Sequence, residues 1–364
     1  MSKDFFDKPF NEDTVIKLEM YGDYIRKWAP VFLANQKPFV HVINIFDFFS
    51  GVGRDSKGTE GSPLLAINIL MEYAEYLSKK ELSINLYLND YNKSYCERLK
   101  QNIDELKFDK ENINILISNK DFKDAYRELR PKMKNAANLI FLDQFGVKFV
   151  NKEFFQELIT IPFTDTLFFV SSATYKRFSK DENISEIIGI DPKVVAKTPA
   201  SHIHKLVTDV YDSFIADDVS YGIAPFSIKK GANIYGLIFG SGHPLGMEKF
   251  LEVCWAKDND TGEANFDIEG DALKKSAPSL FEEFNPPTKI ELFQSELEEK
   301  ILTKEVTSDF EIYFFMINKG FLGQHVRPVI QKLKTEEKIH IVYPSFKCST
   351  VLNKKRKPQK ISIL

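Results

Sequence analysis

The sequence predicts a Rossmann-like, doubly wound α/β sheet that ends in an antiparallel hairpin, followed by a small C-terminal helical unit. Three observations lead there. Short apolar runs alternate with amphipathic stretches through the first half of the chain. Two later strand runs are joined only by Lys229-Lys-Gly-Ala232. Beyond Pro286-Pro287, three helical stretches precede two short strand runs.

Residues 13–32 read as the first helix. Asp13 or Thr14 can cap it, and Leu18, Tyr21, Ile25, Trp28 and Phe32 recur three or four positions apart. Residues 39–46 form a continuous apolar run, as in a strand buried on both faces of a parallel sheet. A helix over 62–77 follows, with Pro63 suited to its first turn. Strands at 82–88, 113–117, 139–142 and 166–172 then alternate with helices at 93–106, 122–130 and 152–159. Five strands with helical crossovers place helices on both faces of the sheet. After a helix at 201–214, strands 220–228 and 234–240 make a hairpin. Such an antiparallel end is the mark of a class I methyltransferase-type sheet, and it opposes a dinucleotide dehydrogenase.

The polar stretch 257–285 closes at Pro286-Pro287 and divides the chain into residues 1–285 and 286–364. Helices at 291–302, 309–318 and 323–334, then strands at 339–343 and 360–364, run in winged-helix order. Gly320 falls in the turn between the second and third helices, where helix-turn-helix units favour glycine.

Composition narrows the function classes. With 364 residues, 43% hydrophobic and 28% charged, the chain can bury a sizeable core. Its net charge of −3 neither favours nor excludes a polyanion, because local distribution decides that. Lys354, Lys355, Arg356 and Lys357 form a basic tail that suits phosphate contacts with DNA or RNA. Cys96, Cys254 and Cys348 are far apart, which excludes a CxxC metal framework and fits a reducing, cytoplasmic location. The N-terminus shows no signal-type apolar run, and no stretch of about 18 apolar residues predicts a membrane helix.

Ligands of doubly wound sheets bind at the carboxyl ends of the strands. The first loop there reads Asp47-Phe-Phe-Ser-Gly51-Val-Gly53. Gly51 and Gly53 let backbone approach a ligand, Phe49 lies between them and Asp47, and Asp47 can accept from the ammonium of a methionine moiety. Ser56 stands where a dinucleotide fingerprint requires its third glycine. Asp90, at the end of the second strand, suits ribose hydroxyls, and Asp121 (with Asn119) suits an adenine amino group. Asp143 and Phe145 in Asp143-Gln-Phe-Gly146 place an acid beside an aromatic, as transfer to an exocyclic amine requires. Every one of these acids also fits a plain turn or helix-capping role. His202, His204 and His243 read as packing residues, and Lys176-Arg177 as solvated.

Taken together, Ile45-Phe-Asp47-Phe-Phe-Ser-Gly51-Val-Gly53, Gly61-Ser-Pro63, Asn89-Asp90, Leu142-Asp-Gln-Phe-Gly146, His243-Pro-Leu-Gly246 and Gly320-Phe-Leu-Gly323 resemble the segments of the three-Cys-motif partner protein family, TcmP. The resemblance runs over nearly the whole chain. It implies a methyltransferase-like fold, S-adenosylmethionine as cofactor, and a radical-SAM-like iron–sulfur protein as partner. The family's D-P-F-G segment is also similar to the catalytic segment of tRNA guanine-N2 methyltransferases. Gln144 departs from it, and the proline it replaces would pre-set the turn that aims the acid. The expected function is therefore methylation of a nucleobase amine. The alternative is a catalytically altered nucleic-acid- or protein-binding component of a bacterial or phage defence-type system.

Overall fold

The computed structural model describes residues 5–33, 40–73, 82–106, 113–143, 150–172, 175–176, 189–199, 202–230, 233–262 and 287–364. Phe145, with Gln144 and Gly146, lies outside them, as does Arg177. By packing, the chain divides into two units, Met1–His243 and Pro244–Leu364.

The first unit opens with α1 (Glu12–Leu33) and continues β1 (Val42–Asp47), α2 (Ser62–Met71), β2 (Ser83–Asn89), α3 (Lys93–Asp104), β3 (Ile113–Ser118), α4 (Phe122–Leu129), β4 (Ala137–Leu142), α5 (Lys152–Leu158) and β5 (Thr164–Ser171). It ends with α6 (Pro192–Lys197), α7 (Ile203–Asp212), β6 (Gly222–Lys230) and β7 (Asn233–Ser241). The seven strands take the order β3-β2-β1-β4-β5-β7-β6. β1 to β5 are parallel, and β7 runs antiparallel to both β5 and β6. This is the class I methyltransferase arrangement that the terminal hairpin predicts. β4 is buried at every position and β1 at all but its first, as their unbroken apolar runs require.

One feature interrupts the apolar sheet. Asn114, Asn85, Asn44, Asn138 and Thr164 occupy paired positions on five adjacent strands, β3-β2-β1-β4-β5, near their amino ends. Each Asn passes its amide to the next. Asn114 Nδ2 donates to Asn85 Oδ1 (3.1 Å), Asn85 Nδ2 to Asn44 Oδ1 (2.9 Å), and Asn44 Nδ2 to Asn138 Oδ1 (3.0 Å). Asn138 Nδ2 closes the row on Thr164 Oγ1 (3.0 Å) and on the Met133 carbonyl (3.0 Å). Asn44 and Asn138 are fully buried, so an unpaired amide there is costly. Asn138→Ala takes one partner each from Asn44 Nδ2, Thr164 Oγ1 and the Met133 carbonyl, leaves Asn44 Nδ2 on the Lys132 carbonyl and Thr164 Oγ1 on the Pro162 carbonyl, and is expected to destabilise the first unit by about 1–3 kcal/mol in urea unfolding. A loss under about 0.5 kcal/mol would show the row to be incidental.

The second unit holds α8 (Pro244–Lys257), α9 (Lys289–Leu302), α10 (Asp309–Asn318), α11 (Gly323–Thr335), β8 (Ile339–His340), α12 (Cys348–Val351) and β9 (Ser362–Ile363). Its start at Pro244 precedes the 285/286 boundary read from the polar loop. The reason is α8, which packs within this unit. Trp255 donates through Nε1 to the Gly320 carbonyl (2.9 Å) and lies 4.0 Å from the His325 ring, and Glu248 accepts the Cys348 amide (2.7 Å). Its buried residues include Met247, Phe250, Leu251, Val253, Cys254 and Trp255. They surround the helix instead of forming one stripe, which hides it from a periodicity reading.

α10 ends in a Schellman turn. Gly320 (φ +79°) donates to Ile317, and Phe321 donates to Met316. This left-handed residue is the glycine expected between the helices. β8 and β9 pair antiparallel, and Ser308 bridges to Lys360 as a third short strand position. The residues expected to form a basic tail therefore lie in the connection between β8 and β9, the wing. Asp309, fully buried at the start of α10, holds this wing. Its carboxylate accepts the amides of Ser345 (3.0 Å) and Gln359 (2.8 Å) and pairs with the Arg356 guanidinium. Arg356 is thus engaged in structure, whereas Lys354, Lys355 and Lys357 are exposed.

Candidate functional site

The carboxyl ends of β1, β2 and β4 lie side by side in the sheet, and their loops carry Asp47, Asp90 and Asp143. Asp47 ends β1 and is 1% exposed. It accepts the Phe49 amide (3.1 Å) and the Ser62 hydroxyl (2.6 Å). Gly51 and Gly53 then adopt left-handed backbone, at φ +59° and +87°, where other residues are strained. The Gly51 amide donates to Asp90 Oδ2 (3.0 Å), and Asp90 Oδ1 accepts the Asn92 amide (2.8 Å). Asp90 therefore links the first two loops directly.

The Gly61-Ser-Pro63 segment gains a physical account. The Gly61 amide donates to the Gly53 carbonyl at 2.7 Å, and a Cβ on Gly61 would lie 3.2 Å from that oxygen. Ser62 carries the hydroxyl on Asp47, and Pro63 occupies the first turn of α2. The Phe6 ring packs on Gly51, where a Cβ would fall 2.3 Å from its Cζ.

Charge at Asp47 is displaced. Burial raises its carboxyl from the ordinary 3.8 to about 7, with Asp143 and Asp90 adding repulsion while the Ser62 and Phe49 bonds oppose the rise. Asp90 is raised as well, chiefly by burial. Three acids at one sheet end form an acidic cluster that favours a cationic group.

Two residues of α1, Lys17 and Tyr21, join this cluster. Lys17 forms an ion pair with Asp143, and its Nζ sits 4.7 Å from the centroid of the Phe169 ring. Tyr21, one turn later, stacks on Phe141 at 4.2 Å. Its hydroxyl is buried with no hydrogen-bond partner among the described residues, and burial together with Asp47 pushes its ionisation well above the usual range. The signal that points to Lys17 is a lysine on the same helix face as Tyr21, Tyr24 and Trp28.

The remaining sequence candidates divide. Phe49 is half-buried and stacks on Phe122 at 5.5 Å. Asp121 is exposed and caps α4 through the Lys123 amide (2.9 Å), so its visible role is the capping one. Asn119 donates to the carbonyls of Asp90 and Tyr91, tying the third loop to the second. His204 is buried on α7 with Nε2 3.2 Å from Ser227 Oγ, and burial lowers it to about 4, as befits a packing residue. Among the described residues no group of His, Cys, Asp and Glu could hold a metal ion, and no helix is long and apolar enough to cross a membrane.

Residues 265–346 match the family model of the GMT-like wHTH domain. This winged helix-turn-helix match agrees with the helix and strand order of the second unit. No curated protein matches the chain. Among solved structures it is similar to the O-methyltransferase TomG from Streptomyces achromogenes in complex with SAM, at 9% identity and a TM-score of 0.35, over 64% of this chain and 90% of that one. It is also similar to cofactor-bound Rv0187 from MTB, at 8% identity and 0.32, over 64% and 89%. A methyltransferase from Pyrococcus furiosus follows at 12% identity and 0.25, over 54% and 74%. At these scores the fold assignment rests on the strand order of the sheet itself.

Proposed function

We propose that the first unit binds S-adenosylmethionine and that the chain is a methyltransferase acting on a nucleic-acid base, with the winged helix-turn-helix unit holding the nucleic acid. The observation that carries this reading is the meeting of Gly51, Asp47 and Asp90 at the carboxyl end of β1 within the β3-β2-β1-β4-β5-β7-β6 sheet. The residues fit the cofactor. Asp47 offers a buried acceptor for an ammonium, Tyr21 brings close to it a buried hydroxyl without a partner among the described residues, and Asp90 stands at the strand end suited to a ribose. When bound, S-adenosylmethionine supplies an electrophilic methyl group. In this reading Asp143, whose ion-pair partner Lys17 lies over the Phe169 ring, accepts a hydrogen bond from an exocyclic amine, and Phe145, two positions on in sequence, stacks on the base. The reading places the chain beside the three-Cys-motif partner family, with a radical-SAM-like iron–sulfur protein as partner.

Lys17 favours a second reading. Its ammonium already engages Asp143, so the carboxylate serves an internal cation. A binding component without transfer activity, of the defence type, fits that arrangement. Titration calorimetry of the wild-type protein with S-adenosylmethionine tests the first reading, with micromolar to sub-millimolar affinity as the expected result. No heat at millimolar ligand removes it. Binding without transfer of a labelled methyl group to DNA or tRNA favours the second reading.

A further inference from the structure

The segment that precedes α1 lies across the turn of Gly51 and Gly53. Phe5–Asp7 form one turn of 3-10 helix, and the chain then runs through Lys8, Pro9 and Phe10 to Asn11. The Phe6 ring sits so close on Gly51 that a Cβ there would meet its Cζ at 2.3 Å, its Cε1 at 2.9 Å and its Cε2 at 3.1 Å. The ring therefore covers the Gly51 Cα, and no ligand atom fits between them. A glycine at positive φ leaves its face open to close approach, and here the chain's own aromatic fills that face. Phe6 in turn meets Tyr95 of α3 edge-on at 5.1 Å and Phe10 at 6.3 Å.

Two observations mark Phe6 as a removable cover. First, the turn keeps its shape by other means. The Gly51 amide donates to Asp90 Oδ2 (3.0 Å), the Ser50 amide to the Asn89 carbonyl (2.9 Å), and the Ser50 hydroxyl to the Asp47 carbonyl (2.8 Å). Second, the fastenings of the segment can open at little cost. The Phe10 amide donates to Asp55 Oδ2 (2.7 Å), but Asp55 Oδ1 also accepts the Lys57 and Thr59 amides (2.8 Å each), so the buried carboxylate keeps two donors when Phe10 leaves. Asp7 pairs with Arg98 at 3.8 Å while their side chains are 54% and 40% exposed, and salt screens such a pair. Asp7, Lys8 and Pro9 are exposed, and Phe6 and Phe10 are half-buried. The character of the chain changes at Asn11. Its Oδ1 accepts the Thr14 amide (3.1 Å) and hydroxyl (2.7 Å), which caps α1. Beyond that cap Met20, Tyr21, Tyr24 and Ile25 are buried and fix the helix.

We infer that residues 5–10 are a strap over the glycine turn, pivoting at Asn11, and that Phe6 is a built-in competitor which any ligand contacting Gly51 must displace. The inference rests on the cofactor reading proposed above and names a regulation of that same site. A Phe6 that served instead as a permanent wall of the site would give the opposite sign on removal: its loss would weaken binding.

The test is titration calorimetry of the full-length protein with S-adenosylhomocysteine as the probe, comparing wild type, Phe6→Ala and Asp7→Lys. A strap open in about one molecule in ten lowers the apparent affinity about tenfold, so Phe6→Ala is expected to bind about tenfold more tightly. Asp7→Lys places a cation against Arg98 at the surface and should shift affinity the same way, by about threefold. Hydrogen exchange over residues 5–11 is the second readout. Saturating probe should speed it in the wild type, because the Phe10 amide leaves Asp55. Equal or weaker binding by Phe6→Ala overturns the proposal, and so does slower or unchanged exchange in the wild type. If Phe6→Ala does not fold, Asp7→Lys, at an exposed position, carries both readouts with the same outcomes. Equal binding by all three proteins removes the strap and leaves the cofactor reading standing. No binding by any of them at millimolar probe removes both.

Discussion

Asp47→Asn is expected to weaken S-adenosylmethionine binding by about ten- to a hundredfold, the worth of one charge-assisted hydrogen bond. It should also remove most of the pH dependence of binding. The free protein holds the Asp47 carboxyl at about 7 because the group is buried. An ammonium pairs with the ionised form, so the wild type must release a proton to bind below that value. Affinity should therefore rise up to tenfold per pH unit as the pH climbs toward 7, then level off. The same displacement has a cost for folding. A carboxyl that ionises near 3.8 when unfolded and near 7 when folded makes the ligand-free unit lose stability as the pH rises between those values. The asparagine variant should escape that loss. Calorimetry at pH 5.5, 6.5 and 7.5 in buffers of different ionisation enthalpy measures both affinity and proton release. Equal affinities for wild type and variant at pH 7.5 would assign Asp47 to the turn alone.

Asp309→Ala should be the most damaging single change in the winged helix-turn-helix unit, at about 3–5 kcal/mol. Three partners are lost together: the Ser345 and Gln359 amides and the Arg356 guanidinium. The side chain is fully buried, so Arg356 is left as a half-buried cation without its counterion. Trp255 lies in this unit and Trp28 in the other, so unfolding can be followed through Trp255 in a Trp28→Phe background. Asp309→Asn, which keeps one accepting oxygen, should lose less. Adding Arg356→Ala to Asp309→Ala should recover part of the loss. A shift below 1 kcal/mol in Asp309→Ala would mean that the wing is held by its apolar contacts instead.

The sheet was legible because each central strand is an unbroken apolar run, and such runs occur where both faces are covered. Gly51 and Gly53 were legible for a different reason: their backbone is left-handed, and glycine is the residue that adopts it without strain. Lys17 was hidden. Its partner Asp143 is 126 positions away, and only the folding of α1 against the sheet brings them together. The wing was read as a tail because the strands that bound it, β8 and β9, are only two residues long each. α8 escaped because its buried residues circle the helix. Asp121 shows the limit of reading an acid from its place after a strand, since a capping aspartate occupies the same position.

The row of asparagines near the amino ends of the strands bears on how this protein can change. It indexes five strands against one another at the end of the sheet opposite Asp47, Asp90 and Asp143. A strand that slipped by one residue would turn its rung to the other face and break it, whatever happened at the carboxyl ends. The loops there are thus relieved of keeping the strands in step. They can be lengthened, shortened or exchanged for others while the sheet holds its alignment, so a graft of new specificity onto this scaffold should begin at those loops and leave Asn44, Asn85 and Asn138 untouched.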